Sequence, residues 1–199
     1  DGCRTPFARS GTVFRDLTAV DLAKVCVREL LERTEIDPAS IGTVVMGEVV
    51  PSVKALNLGR EVALGAGLPK SVPAHTVNRA CASANQAIAD VVSSILLGHV
   101  DVGIAGGGES LSDVPILHSR RMARILVETQ KAKSLGARLG SLARVRPRDL
   151  VPDAPALAEP STGLTMGQSA EKMAKENGIG REEQDRIAFA SHGNGWGAT

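Results

Sequence analysis

The chain has 199 residues, 43% hydrophobic and 23% charged, a composition that argues for a folded globular protein and against disorder. One Trp, three Phe and no Tyr leave little surface for stacking on single-stranded nucleic acid, and a formal charge of +1 gives no whole-chain field for polyanions. Three cysteines without a Cys-x-x-Cys spacing speak against a disulfide scaffold or a zinc ribbon, and they fit a reducing, cytoplasmic compartment.

Asp1 to Pro6 reads like the end of a strand already under way, so the sequence is expected to be a piece of something longer. Thr18 and Asp21 form a capping-box pattern ahead of Ala19, Leu22, Ala23, Cys26, Leu30 and Leu31, which fall at helical spacing. That helix covers a core, and Cys26 belongs to its apolar stripe. Thr43 to Val50 is a β-branched run that reads as a buried strand. A short helix is predicted over Asn57 to Gly65, a strand over Ala74 to Asn78, and a long helix beginning near Ala84. Asp90 is the only charge between Ala82 and Leu97, so this helix is expected to be covered on nearly every side. Its serines, Asn85, Gln86 and Asp90 also speak against a membrane span, and no targeting leader is read at the start.

Val100 to Ala105 is the next predicted strand, left by a tight turn at Gly106 to Ser110. Strands alternating with helices up to this point predict an α/β layer with a mainly parallel sheet over residues 1–115. Residues 116–199 have a different character. From His118 to Arg148 there are nine Lys or Arg against Glu128 alone, an excess of +8 in a chain of net charge +1. Met122, Ile125, Leu126, Leu135, Leu139 and Leu142 give this stretch helical spacing, so it reads as basic amphipathic helices. Such a face can be merely solvated, can hold the phosphates of a ligand, or can dock a partner subunit or an anionic membrane. Pro147, Pro152, Pro155 and Pro160 predict an extended linker, followed by helices over Met166 to Asn177 and Arg181 to about His192.

Cys81 is the candidate nucleophile. It follows a short strand and precedes a helix, where unpaired backbone N–H groups and the helix dipole favour an anion such as a thiolate. The order strand, turn, nucleophile, helix is mechanically that of a serine nucleophile elbow. The bland alternative is a small buried residue that packs the helix start. Gly103 to Gly108 lacks the spacing of a dinucleotide fingerprint and reads as a turn.

Asn78-Arg79-Ala80-Cys81-Ala82-Ser83-Ala84-Asn85-Gln86-Ala87 resembles the nucleophile segment of thiolases, and Ala105 to Ser112 resembles the glycine turn that follows it. Arg4 to Phe7, Met166 to Glu171 and Arg181 to Asp185 are similar to three further family motifs, in the family's order. Within the family, Ser83 to Gln86, Ser112 to Ile116 and the basic insertion most resemble the thiolase β-subunit of trifunctional fatty-acid-oxidation complexes. The resemblance implies a layered α/β half-fold with a buried nucleophile helix and a helical cap. It also implies transfer of an acyl group from a 3-ketoacyl-CoA to Cys81 and on to free coenzyme A, which is a co-substrate and not a permanent cofactor. The backbone N–H of Cys81 is then a candidate donor to the acyl oxyanion, and Met166 matches a residue lining the acyl and pantetheine pocket. The same resemblance implies a hydratase/dehydrogenase partner subunit. A homo-oligomer is expected because an open half-domain with a buried helix needs more protein around it, the charge of Arg120 to Arg148 suits a peripheral membrane contact, and no metal is expected.

The family also uses an activating His, a second Cys and an Asn–water oxyanion site, all from a carboxyl-terminal half that these residues do not match. Cys3 and Cys26 lie in the amino-terminal segment, and His75, His99 and His118 read as structural or solvent-facing. Gly193 to Thr199 breaks the helical pattern after His192 and faintly resembles the glycine-rich stretch that follows the family's catalytic His, a match that needs inserted residues. Two other readings compete. A ketoacyl-synthase-type condensing enzyme shares the nucleophile arrangement, with Met166 to Glu171 against it, and a non-catalytic module that binds a partner would explain the unmatched groups.

Overall fold

The computed structural model describes residues 1–153 and 158–196, which divide into two compact units, Asp1–Pro115 and a second from Ile116 onward. In the first unit, helix α1 (Ala19–Thr34) starts on Thr18, whose hydroxyl accepts the Asp21 N–H at 3.2 Å while the Asp21 carboxylate accepts the Thr18 N–H. The pair satisfies two of the donors that every helix start leaves open. A 3₁₀ turn at Pro38–Ser40 leads into strand β1 (Thr43–Gly47), buried at all five positions. Helix α2 (Leu58–Gly65) is capped by Asn57, strand β2 covers Ala74–Val77, helix α3 covers Ser83–Leu96, and strand β3 covers Gly103–Gly107.

The three strands form a parallel sheet in the order β2-β1-β3. Side chains alternate across β1. Val44 and Met46 pack with Ala19, Ala23 and Val27 of α1 and Leu58 and Val62 of α2, whereas Val45 packs with Ala87 and Val91 of α3. The result is three layers, helix, sheet and helix. The strand order explains it, because the β1-to-β2 and β2-to-β3 crossovers run in opposite directions and right-handed connections then place their helices on opposite faces.

The expectations for β3 and α3 change. The third strand runs through Gly106 and Gly107, which pair with Met46 and Gly47. The glycines belong to the ladder because a Cβ on Gly107 would lie 3.1 Å from the Gly47 carbonyl oxygen and 3.2 Å from the Ala84 Cβ. Among the described residues helix α3 is covered by the sheet alone: Ser83, Ala87 and Val91 are buried, while Ile88, Val92, Ile95 and Leu96 are exposed. Its uncharged composition therefore marks a face that no described residue covers.

In the second unit, α4 (Arg120–Lys131) and α5 (Leu135–Leu142) start on Ser119 and Ser134, whose hydroxyls accept helix N–H groups. The two pack together, with Met122 and Ile125 buried and Leu126, Leu135, Leu139 and Leu142 exposed. Where a linker was expected, Pro147–Leu150 forms a 3₁₀ turn; Pro155 lies outside the described residues. Helix α6 (Met166–Glu176) has a capping box between Thr165 and Gln168. Helix α7 (Arg181–Trp196) continues past His192 through Gly193, Asn194 and Gly195, so those glycines do not end it.

Candidate active site

Strand β2 ends at Val77, and five residues carry the chain to the first turn of α3. Within them Ala80 takes φ +47°, a left-handed backbone that alanine adopts only where the surroundings hold it. The hold is local. Asn78 Oδ1 accepts the Ala80 N–H at 3.0 Å, and Ser83 Oγ donates to the Ala80 carbonyl at 2.6 Å while accepting the Arg79 N–H at 2.9 Å. Ser83 is 4% exposed, so this hydroxyl works in a site where an unmade bond would cost about 1–3 kcal/mol.

Cys81, directly after Ala80, is exposed at the carboxyl end of the sheet. It stands one residue ahead of the cap position, which falls on Ala82, and Ala82 offers no side-chain cap to the first-turn N–H groups of α3. The Ser83 N–H is taken by the Ala80 carbonyl at 3.1 Å, which leaves those of Ala84 and Asn85 without a partner among the described residues and so available to an anion. Neighbouring positions are small: a Cβ on Gly47 would lie 2.5 Å from the Ser83 carbonyl carbon, so only glycine lets the start of α3 sit against the end of β1. Arg79 donates to Gln86 at 2.9 Å and Gln86 donates to Asp90 at 2.7 Å, tying the turn to the side of the helix.

The other thiols sit elsewhere. Cys3 Sγ donates to the Cys26 carbonyl at 3.1 Å, and both residues line a cleft of about 360 Å³ with Met46 and Ile104. Burial, with Cys3 beside it, pushes the Cys26 thiol up, so less of it is thiolate at neutral pH. His75 is exposed in β2 opposite Val45; His99, His118 and His192 are exposed as well. Met166 opens α6 in the second unit and is 60% exposed. Among the described residues no cluster of His, Cys, Asp or Glu could hold a metal, and no helix is long and apolar enough to cross a membrane.

Sequence reading overlooked two residues at the strand ends, Glu48 after β1 and Glu109 after β3. Glu109 Oε2 accepts the N–H groups of Val49 at 2.8 Å and Val50 at 3.3 Å. Glu48 is 3% exposed, and burial together with the Glu109 carboxylate pushes it up to about 7. The Glu48 Oε2 and Glu109 Oε1 atoms meet no hydrogen-bond partner among the described residues. The available signal was an acid at, or one residue beyond, the end of an apolar strand.

In the second unit, Arg120, Arg121, Arg124 and Arg144 line a cleft of about 240 Å³ with Ile125 and Glu128. Arg121 is committed to the buried Asp149 at 3.1 Å, and Arg144 pairs with Glu128. The Arg146 backbone N–H and the Arg121 guanidinium hold the Asp149 carboxyl below its ordinary range.

The family model for the amino-terminal domain of thiolases matches residues 1–199. The chain belongs to the thiolase family. A 3-ketoacyl-CoA thiolase of Pectobacterium atrosepticum is 51% identical over 191 residues, and one of Escherichia fergusonii is 50% identical; each match covers 96% of this chain and 44% of the relative. This thiolase chain thus spans less than half the length of those relatives. Among solved structures, human mitochondrial 3-ketoacyl-CoA thiolase in complex with CoA matches 94% of it with a TM-score of 0.70 and 30% identity, covering 44% of that chain. A thiolase from Ascaris suum in complex with coenzyme A matches 96% with a TM-score of 0.74 and 25% identity, covering 45% of that chain. The α/β class with a parallel sheet is that of these thiolases.

Proposed function

We propose that this chain is the nucleophile-bearing part of a 3-ketoacyl-CoA thiolase acting in fatty-acid β-oxidation, an acetyl-CoA C-acyltransferase. The observation that carries the reading is Cys81, exposed after a left-handed Ala80 at the open start of α3 in a member of the thiolase family. The Cys81 thiolate attacks the 3-keto carbon of the substrate, the C2–C3 bond breaks, and the enolate of acetyl-CoA takes up a proton as it leaves. Coenzyme A then attacks the Cys81 thioester as its thiolate, releasing the shortened acyl-CoA and returning the Cys81 thiolate. The N–H groups of Ala84 and Asn85 at the start of α3, and that of Cys81 itself, suit the negative charge that develops at this point.

Met166 is proposed to line the acyl and pantetheine path. The basic stretch Arg120 to Arg148 is proposed to meet an anion: CoA phosphates, a hydratase/dehydrogenase partner subunit or an anionic membrane surface. The four-arginine cleft supports that role. A homo-oligomer in a reducing, cytoplasmic compartment completes the proposal.

The test mixes the complete gene product with a 3-ketoacyl-CoA, quenches it and maps the peptides. The acyl adduct should fall on the peptide containing Cys81 and vanish in Cys81→Ser, because a hydroxyl is a far weaker nucleophile. An adduct on Cys3 or Cys26 with Cys81 unmodified would overturn the assignment. The 199-residue chain alone should show no thiolytic cleavage above background, since a nucleophile without an assigned base and acid loses most of the catalytic gain.

A further inference from the structure

The direction in which Cys81 presents its sulfur depends on Ala80, and the bonds that hold Ala80 reach back across the sheet. Asn78 holds the Ala80 N–H through Oδ1, and its Nδ2 donates to the Val49 carbonyl at 3.1 Å. Val49 lies beyond the end of β1, where the strand ladder no longer supports it; its own N–H and that of Val50 are held by Glu109 Oε2. Glu109 follows β3, whose end is tied to β1 by the Gly108 N–H on the Gly47 carbonyl at 3.1 Å. A single run of hydrogen bonds therefore crosses the ends of all three strands, from Glu109 through Val49 to Asn78 and Ala80. Each link uses a side chain where backbone pairing has stopped.

We infer that Glu109 and Asn78 are positioning residues for the nucleophile, fixing the left-handed Ala80 and so the approach of Cys81 to the open end of α3. Neither touches the reacting atoms. The inference rests on the reading of Cys81 as nucleophile, but its central test needs no substrate. If the relay fails, Ala80 is free to leave the left-handed region and Cys81 loses the fixed presentation of its sulfur at the start of α3.

The experiment follows iodoacetamide labelling of each thiol by peptide mapping in the complete gene product at neutral pH, with partly buried Cys26 as an internal folding control. In Asn78→Ala and Glu109→Ala, labelling of Cys81 should fall by about tenfold while Cys26 labels as in the parent. Glu109→Gln keeps an oxygen for the Val49 and Val50 N–H groups and should stay within about twofold of the parent. Asn78→Asp keeps the acceptor for Ala80 but gives up the donor to Val49, and should lie between. Because both act through one relay, the double alanine variant should lose no more than Asn78→Ala alone. Unchanged Cys81 labelling in both alanine variants, or a loss in Glu109→Gln equal to that in Glu109→Ala, overturns the inference. Should an alanine variant unfold, exposing Cys26, Glu109→Gln and Asn78→Asp decide by the same measure. Parent protein that labels at Cys81 as expected yet forms no acyl adduct overturns the proposed function and leaves the relay standing.

Discussion

Glu48 is a residue whose environment works against its own charge. An ordinary glutamate ionises near 4.5, whereas burial and the Glu109 carboxylate raise Glu48 to about 7. A group with a raised acidic pKa contributes stability that is complete below the unfolded value, about 4.5, and is lost as pH rises through about 7. Lys54, Glu61 and Asp113 line the same cleft as Glu48, and Glu109 is the charge that acts on it. Glu48→Gln, which mimics the protonated form, should therefore stabilise the protein at pH 8 by roughly 1–3 kcal/mol and change little at pH 4. Thermal unfolding of both proteins at the two pH values checks this; equal midpoints at pH 8 would show that the ionised carboxylate is accommodated. At the same scale Ala80 is where sequence reading was weakest. The Cys81 segment was recognisable from its residues, but a left-handed alanine has no mark in composition, since its conformation is imposed by Asn78 and Ser83.

At the scale of elements, the start of α3 is placed by glycine. Gly47→Ala would put a Cβ 2.5 Å from the Ser83 carbonyl carbon and 2.6 Å from the Ala84 nitrogen, and backbone cannot swing aside as a side chain can. The substitution should cost about 2–4 kcal/mol in urea unfolding, beyond ordinary overpacking, and should slow labelling of Cys81. An unchanged midpoint would mean that α3 shifts freely from the sheet. The starts of α1, α2 and α6 were legible because Thr18, Asn57 and Thr165 carry their caps in their own side chains, whereas Ser119 and Ser134, which cap α4 and α5, were not singled out within the basic stretch. Strand β3 was misjudged because glycine lowers strand propensity, and only the neighbouring Gly47 and Ala84 explain why nothing larger fits. The end of α7 was misjudged for the converse reason: glycines inside a helix are costly but do not by themselves stop one.

For the whole molecule, the uneven charge is the feature that reaches furthest. Among the described residues Arg120 and Arg124 line the basic cleft without the ion pairs that commit Arg121 and Arg144, so they are the better targets for testing anion binding. Replacing both with Gln should weaken binding of CoA or of anionic vesicles at low salt, with the difference shrinking as ionic strength rises. Equal binding at low salt would leave these helices as a solvated face. The candidate site itself was only partly legible, because Glu109, Val49 and Asn78 meet through the fold and not through spacing in the chain. That same fold constrains how the protein can assemble. A parallel three-stranded sheet has no hairpin: β1 finds β2 only after α2 is spanned, and β3 reaches β1 only after the chain has passed β2 and α3. Each pairing carries the entropy of closing a long loop before any contact repays it, so folding in this unit should be slow for its size and limited by β1, the strand both neighbours must find. Val44→Ala in that strand should then show its effect in the refolding rate and not chiefly in unfolding, which stopped-flow measurement of both arms would separate.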